Sequence, residues 1–169
     1  MEIRDFKKDG EYYTPRYAVI PLLKYLKRNS VIWCPFDKKR SQYVQTFTDQ
    51  GHQVVYTHAD FGGGFFKIEV ECDYIISNPP YSKKLEVLKR LYELKKPFAM
   101  LLGSHGIFEG DRYRLLSQNP FELMVLDKRV VFRKGGSPPF QNWYICNGLL
   151  PDKIIFEEIN KKVLDIYQE

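Results

Sequence analysis

One stretch constrains this chain more than any other: Asp73-Tyr74-Ile75-Ile76-Ser77-Asn78-Pro79-Pro80-Tyr81. Tyr74-Ile75-Ile76 reads as a buried strand, because aromatic and β-branched side chains suit a sheet covered on both faces. Two prolines then end it, since neither donates a backbone hydrogen bond and each fixes its own φ. The expected result is a rigid, extended corner at the strand's C-terminal edge, where ligands bind in open α/β sheets. The corner presents the amide of Asn78, backbone carbonyls with no ladder partner, and the ring of Tyr81.

Those groups suit one chemical task. An exocyclic amine on an aromatic ring is a poor nucleophile, because its lone pair is delocalised into the ring. The side-chain carbonyl of Asn78 and the backbone carbonyl of Pro79 can each accept one N–H from such an amine and direct its lone pair at an electrophile. The ring of Tyr81 can stack on the planar substrate. Positioning and hydrogen bonding then supply the catalysis, and no base with a tuned pKa is required. A plain Pro-Pro turn uses the same residue types; the strand directly before the corner favours the functional reading.

At 169 residues the chain is long enough for one domain with a sizeable core. Its 44% hydrophobic and 28% charged content excludes a disordered chain. No apolar run approaches the roughly 20 residues that span a bilayer, and the N-terminus lacks the apolar core of a signal peptide. Cys34, Cys72 and Cys146 are scattered and odd in number. This argues against a disulfide framework and a zinc site, and for a reducing cytoplasm. A net charge of +5 is compatible with a polyanionic partner.

Taken in order, Thr14 is expected to cap a helix with Pro15 at its first position, and Pro21 to kink it. Ser30 to Cys34 reads as a first strand, Ser41 to Asp49 as a helix ending near Gly51, and His52 to His58 as a second strand. That is a βαβ unit with parallel pairing. Gly62-Gly63-Gly64 leads to Phe65 and Phe66, read as core. Ser82 is expected to cap a helix reaching about Lys95, with Leu85, Leu88, Leu91 and Leu94 on its apolar face. Pro97 to Leu102 is the next buried strand, and residues 111–117 are helical. Phe121 to Leu126, extending toward Phe132, pairs with Asn142 to Leu150 as a hairpin. The four-residue spacing of Ile155, Ile159 and Val163, with Ile166 beyond, predicts an amphipathic helix over Asp152 to Tyr167.

Asn78-Pro79-Pro80-Tyr81 resembles the catalytic motif of S-adenosylmethionine-dependent amino-methyltransferases, the group that includes DNA adenine-N6 methylases; compact phage-type enzymes look most similar. The resemblance implies a class I, Rossmann-like fold: a three-layer α/β sandwich with a mostly parallel sheet and a terminal antiparallel hairpin; the length leads us to expect one domain over 1–169, with no insertion between the catalytic corner and the C-terminus large enough for a separate target-recognition domain. The resemblance also implies S-adenosylmethionine as cofactor and Asn78, Pro79, Pro80 and Tyr81 as the catalytic corner. Tyr13-Thr14-Pro15 resembles the segment that touches the methionine end of the cofactor. Pro35-Phe36 matches the pair that follows the family's first strand. There the chain departs from the pattern: Cys34 stands at the acidic position, and Asp37-Lys38-Lys39-Arg40 replaces the glycine turn. Asp37 is the candidate to take over the contact to the cofactor's ammonium. His58 stands near the place of the ribose-binding carboxylate, and Asp60 is a candidate for the ribose or for the adenine side.

By the same resemblance the reaction is methyl transfer to adenine N6, in DNA after base flipping. Lys83, Lys84, Arg133 and Lys134 are candidate phosphate contacts. Ser137-Pro138-Pro139-Phe140 resembles the cytosine-N4 form of the motif. It follows two glycines rather than a strand, so it is read as a mobile substrate-facing loop and not as the catalytic corner. Two alternatives stand beside this reading. One is the same chemistry on an RNA base or on protein glutamine. The other is a non-catalytic nucleic-acid-binding derivative, favoured by the lost glycine turn.

Overall fold

Alternation along the strands places the core on both faces of one sheet. The structure, a computed structural model, describes residues 13–58, 64–132 and 138–166. Its strands are β1 (Val31–Cys34), β2 (Gln53–Tyr56), β3 (Tyr74–Ser77), β4 (Phe98–Gly103), β5 (Glu122–Leu126), β6 (Asn142–Asn147) and β7 (Ile154–Glu157). Ile32, Cys34, Tyr74, Ile76, Ala99, Leu101, Tyr144 and Cys146 enter one apolar layer. Trp33, Ile75, Phe98, Met100, Leu102 and Ile145 enter the other. The period-two repeat of a strand produces this division. The first layer is closed by α1 (Arg16–Val19), a 3-10 turn over Ile20–Tyr25 and α2 (Gln42–Asp49). The second is closed by α3 (Lys84–Leu94) and α4 (Gly110–Gln118).

The strand order is β2-β1-β3-β4-β6-β5-β7. The pairs β1–β2, β1–β3, β3–β4 and β5–β7 are parallel; β6 runs antiparallel to both β4 and β5. The chain leaves β1 toward β2 on one side and later fills β3 and β4 on the other. The carboxyl ends of β1 and β3 therefore flank the point where the order reverses, the usual ligand crevice of such sheets. Asp73 fixes the register from the opposite, amino ends of these strands: its carboxylate accepts from Val31 N at 2.8 Å, and its own N–H donates to Val31 O. α2 begins as the sequence predicts, with the Ser41 hydroxyl accepting from Tyr43 N, and closes at Gly51 with φ +87°.

Five sequence expectations change, the first being Phe66, which is exposed while Phe65 alone enters the core. Thr14 is not a helix cap; Pro15 occupies that place without a side-chain bond, and the Thr14 hydroxyl is engaged elsewhere. Ser82 does not cap α3, because Tyr81–Lys83 form a 3-10 turn that leads into it. The β5–β6 hairpin is present but does not end the sheet, since β6 inserts beside β4 and β7 takes the edge. The helix expected over 152–167 is absent among the described residues: β7 pairs with β5, and 158–166 continue without helix. Ile154-Ile155-Phe156 alternate outward and inward as a strand should, and β5 offered an open edge with which they pair. Asp127 then accepts from Ile159 N, and Asn160 accepts from Lys162 N, local bonds that compete with a helix. No helix among the described residues is long and apolar enough to cross a membrane, and all three cysteines are free and buried.

Candidate active site

The corner lies where the sequence places it, at the carboxyl end of fully buried β3. Pro79 is buried and Pro80 exposed. Asn78 Nδ2 donates to Thr14 Oγ1 at 3.2 Å, across 64 residues of chain. A fixed chain of donors stands behind that bond. The Ala18 carbonyl can only accept, and Tyr144 donates to it at 2.8 Å. Tyr144 therefore accepts from Tyr43, whose oxygen lies 3.0 Å away. Tyr43 in turn accepts from Thr14. Thr14 is left to accept, so the NH₂ end of the Asn78 amide turns toward it. The Asn78 Oδ1 is then sealed from solvent without a donor among the described residues. A buried acceptor left in this state costs about 1–3 kcal/mol.

Asp37 sits beneath the corner. Its carboxylate accepts from Ser41 Oγ and from Ser77 Oγ, each at 2.5 Å. The end of β1, the start of α2 and the end of β3 are tied through this one group. Burial pushes the carboxyl up to about 6, against the two serine hydrogen bonds that pull it down. No positive charge among the described residues contributes to holding it ionised. Its N–H donates to Thr57 O, which brings the end of β2 alongside. The turn after β1 closes without glycine: Ser41 N donates to Lys38 O and Gln45 Nε2 to Lys39 O, while the Lys39 and Arg40 side chains stay exposed. Phe36 is half-buried against Phe65, ring centroids 5.1 Å apart.

The other wall is aromatic. Tyr81 receives a hydrogen bond on its hydroxyl from Asn142 Nδ2 at 2.8 Å. Phe140 meets the Tyr81 ring edge-on at 5.9 Å. Phe140, which follows the second Pro-Pro pair, thus reaches the first corner. Asn142 opens β6 opposite Gly103 and is fully buried. Sequence reading missed Asn142 and the Tyr43–Tyr144 relay. The available signals were a polar residue heading the Trp-Tyr-Ile-Cys strand and a tyrosine in each of two elements that face the first apolar layer.

Two predicted site residues are corrected. Cys34 lies fully buried in the first apolar layer, and burial raises its thiol well above the usual range, so it is not a charged contact for a cofactor. Lys84 is not a surface phosphate contact. It is only 7% exposed, and its ammonium donates to the carbonyls of Gly103 and His105. Tyr13 is exposed, Thr14 and Pro15 are buried beside the corner, His58 is half-buried just past β2, and Lys83 is exposed. Asp60, Arg133, Lys134 and Ser137 lie outside the described residues. A hollow of about 320 Å³ lies at the opposite end of β4, lined by Leu91, Lys96, Pro97 and Gly148, and holds none of these groups.

No protein-family model matches the chain, and no curated protein matches it. Solved structures do. A chain from a type I R-M system superposes with TM-score 0.55 at 13% identity, over 86% of this chain and 44% of its own. TrmN from Thermus thermophilus gives 0.45 at 12%, over 79% and 48%. A predicted O-methyltransferase from Agrobacterium tumefaciens gives 0.43 at 9%, over 85% and 84%. This chain therefore spans less than half the length of the first two. At these identities the likeness is one of fold, and with the sheet described above it makes this a class I methyltransferase-type, Rossmann-like α/β fold carrying an antiparallel strand.

Proposed function

We propose that this chain transfers a methyl group from S-adenosylmethionine to the exocyclic N6 amine of adenine in DNA. One observation carries the reading: the buried, donorless Oδ1 of Asn78, oriented by the Thr14–Tyr43–Tyr144 relay at the sheet's ligand crevice. In this reading Oδ1 accepts one N–H of the amine and the Pro79 carbonyl accepts the other. The Tyr81 ring stacks on the base, and its own orientation is held by Asn142. Restricting the amine in this way is worth orders of magnitude in rate. The amine loses its proton after transfer, so no basic side chain is required at the corner.

The residues present fit the cofactor. Asp37 is a buried carboxylate with no positive charge among the described residues contributing to its ionisation, complementary to the cofactor's ammonium. Thr14 and Pro15 flank it on the N-terminal side, and His58 and Asp60 follow β2 as candidates for the ribose and adenine side. When bound, the cofactor supplies a methyl group activated by a positively charged sulfur. A net charge of +5 and exposed Lys83, Lys39 and Arg40 support a polyanionic substrate; Arg133 and Lys134 extend the same proposal. The likeness to a chain from a type I R-M system also favours DNA among the candidates.

A methyl-transfer assay with labelled cofactor against duplex DNA, single-stranded DNA, tRNA and protein extract tests this. Label at adenine in DNA is the expected result. Label confined to tRNA or protein would move the substrate to an RNA base or to glutamine. Cofactor binding without any transfer would support the non-catalytic derivative.

A further inference from the structure

Lysine is almost never buried without an ionic partner. Lys84 is the first residue of α3, and no carboxylate among the described residues pairs with it. Its Nζ donates to Gly103 O at 3.1 Å and to His105 O at 3.2 Å. It also lies 5.6 Å from the centroid of the Tyr81 ring and 6.0 Å from that of Phe140. Carbonyl dipoles and ring faces replace water around the ammonium. Local geometry explains the meeting. Tyr81–Lys83 is a 3-10 turn, and side chains three apart eclipse in that conformation, which sets Lys84 on the side of Tyr81.

The other members of the cluster are equally constrained. A Cβ built on Gly103 would stand 2.5 Å from Phe140 Cε2, so only glycine there lets Phe140 approach. Tyr81 is held at its hydroxyl by Asn142, at its edge by Phe140 and beside its ring by the ammonium.

We propose that Lys84 is a positioning residue of the corner: its ammonium clamps the ring of Tyr81 against the β4–α4 loop and sets the plane on which the substrate stacks. The inference rests on the proposed reading of Tyr81 as the stacking ring and adds the group that orients it. Burial, and then the positive charge of Arg112 on α4, bring the Lys84 ammonium down to about 8. The other titratable groups around the clamp are the Tyr81 hydroxyl and the His105 imidazole, which stacks on Phe140 at 6.5 Å. As pH rises through about 8, the ammonium loses its proton and the attraction to the ring with it. Stability moves the other way. Between about 8 and the ordinary lysine value of 10.5 the unfolded chain binds more protons at this lysine than the folded one, so this group's contribution to stability rises with pH. A merely structural lysine would not make turnover and stability diverge.

The test uses the full chain with Lys84→Met and Lys84→Ala, and Lys89→Met on the exposed face of α3 as control. Wild-type turnover should fall with a midpoint near the lysine's pKa. Lys84→Met should be flat across that range and about tenfold or more slower, with cofactor affinity retained. Propylammonium should restore turnover to Lys84→Ala and leave Lys84→Met unchanged. A second readout needs no turnover: with ¹³C-labelled tyrosine rings, the Tyr81 resonance, assigned by its loss in Tyr81→Phe, should titrate in wild type and not in Lys84→Met. No methyl transfer by wild type, with Tyr81 still titrating, would sink the proposed function and leave the clamp standing. An identical Tyr81 resonance in wild type and Lys84→Met at every pH, or full turnover in Lys84→Met, would overturn the clamp.

Discussion

Replacing Asp37 by asparagine should stabilise the fold and damage the function. The carboxyl has a pKa of about 6 in the folded chain against an ordinary value of 3.8, mainly because burial disfavours its charge. At 1.36 kcal/mol per pH unit this difference corresponds to about 3 kcal/mol against the ionised form. Between those two pH values the folded state binds more protons than the unfolded one, so the group's contribution to stability improves as pH falls from about 6 toward 3.8. Above about 6 both states are ionised and the full penalty of burial applies. An asparagine side chain at this position would keep the shape: its Oδ1 still accepts from one serine, and its Nδ2 donates to the other. Urea unfolding should therefore find Asp37→Asn up to about 3 kcal/mol more stable than wild type near pH 7.5, with the difference vanishing near pH 4. Calorimetry should show weakened S-adenosylmethionine binding by the same variant, because the ammonium loses its counter-charge. A variant less stable than wild type at pH 7.5 would refute the reasoning, since it would mean the buried charge is already compensated. Unchanged cofactor affinity would remove Asp37 from the cofactor site.

Tyr81→Phe keeps the stacking ring but leaves the Asn142 amide without its partner in a fully buried place. Chemical denaturation should record a loss of about 1–3 kcal/mol, and turnover should fall with it; a silent substitution would show that the hydroxyl bond is not formed. Tyr144→Phe removes the link that fixes the donor order from Ala18 to Asn78. It should lower turnover by about tenfold or more with little change in cofactor affinity, measured by steady-state rates beside calorimetry; wild-type turnover would remove the relay from the site.

The parts of this molecule that were legible in its sequence are those where local chemistry and tertiary role agree. The β3 strand and its Asn-Pro-Pro-Tyr corner are such a case, since apolar β-formers and two prolines leave the backbone little choice. The β1–α2–β2 unit is another, marked by Ser41 at one end of the helix and Gly51 at the other. Misreadings arose where a distant partner decided the outcome. Ile155, Ile159 and Val163 imitate a helical face by spacing alone, while the open edge of β5 and the side chain of Asp127 hold that segment extended. Lys84 stands in a lysine-rich helix that reads as solvated; its burial depends on carbonyls at Gly103 and His105 that only the fold brings near. Thr14 has the composition of a cap, yet its hydroxyl serves Asn78 instead. The turn after β1 carries no glycine, and only the fold shows that Asp37 ties it to the corner through Ser77.

The central claim is that Asn78 orients the attacking amine. Single-turnover methyl transfer by Asn78→Ala, set beside cofactor and DNA affinity and a circular dichroism spectrum matching wild type, tests it most directly. An acceptor used mainly as the electrophile arrives acts on the transition state more than on binding. The expected result is a rate lower by about a hundredfold or more with affinities nearly unchanged, in line with the loss of a single preorganised hydrogen-bonding group in other active sites. A folded Asn78→Ala that transfers methyl groups at the wild-type rate would contradict the account.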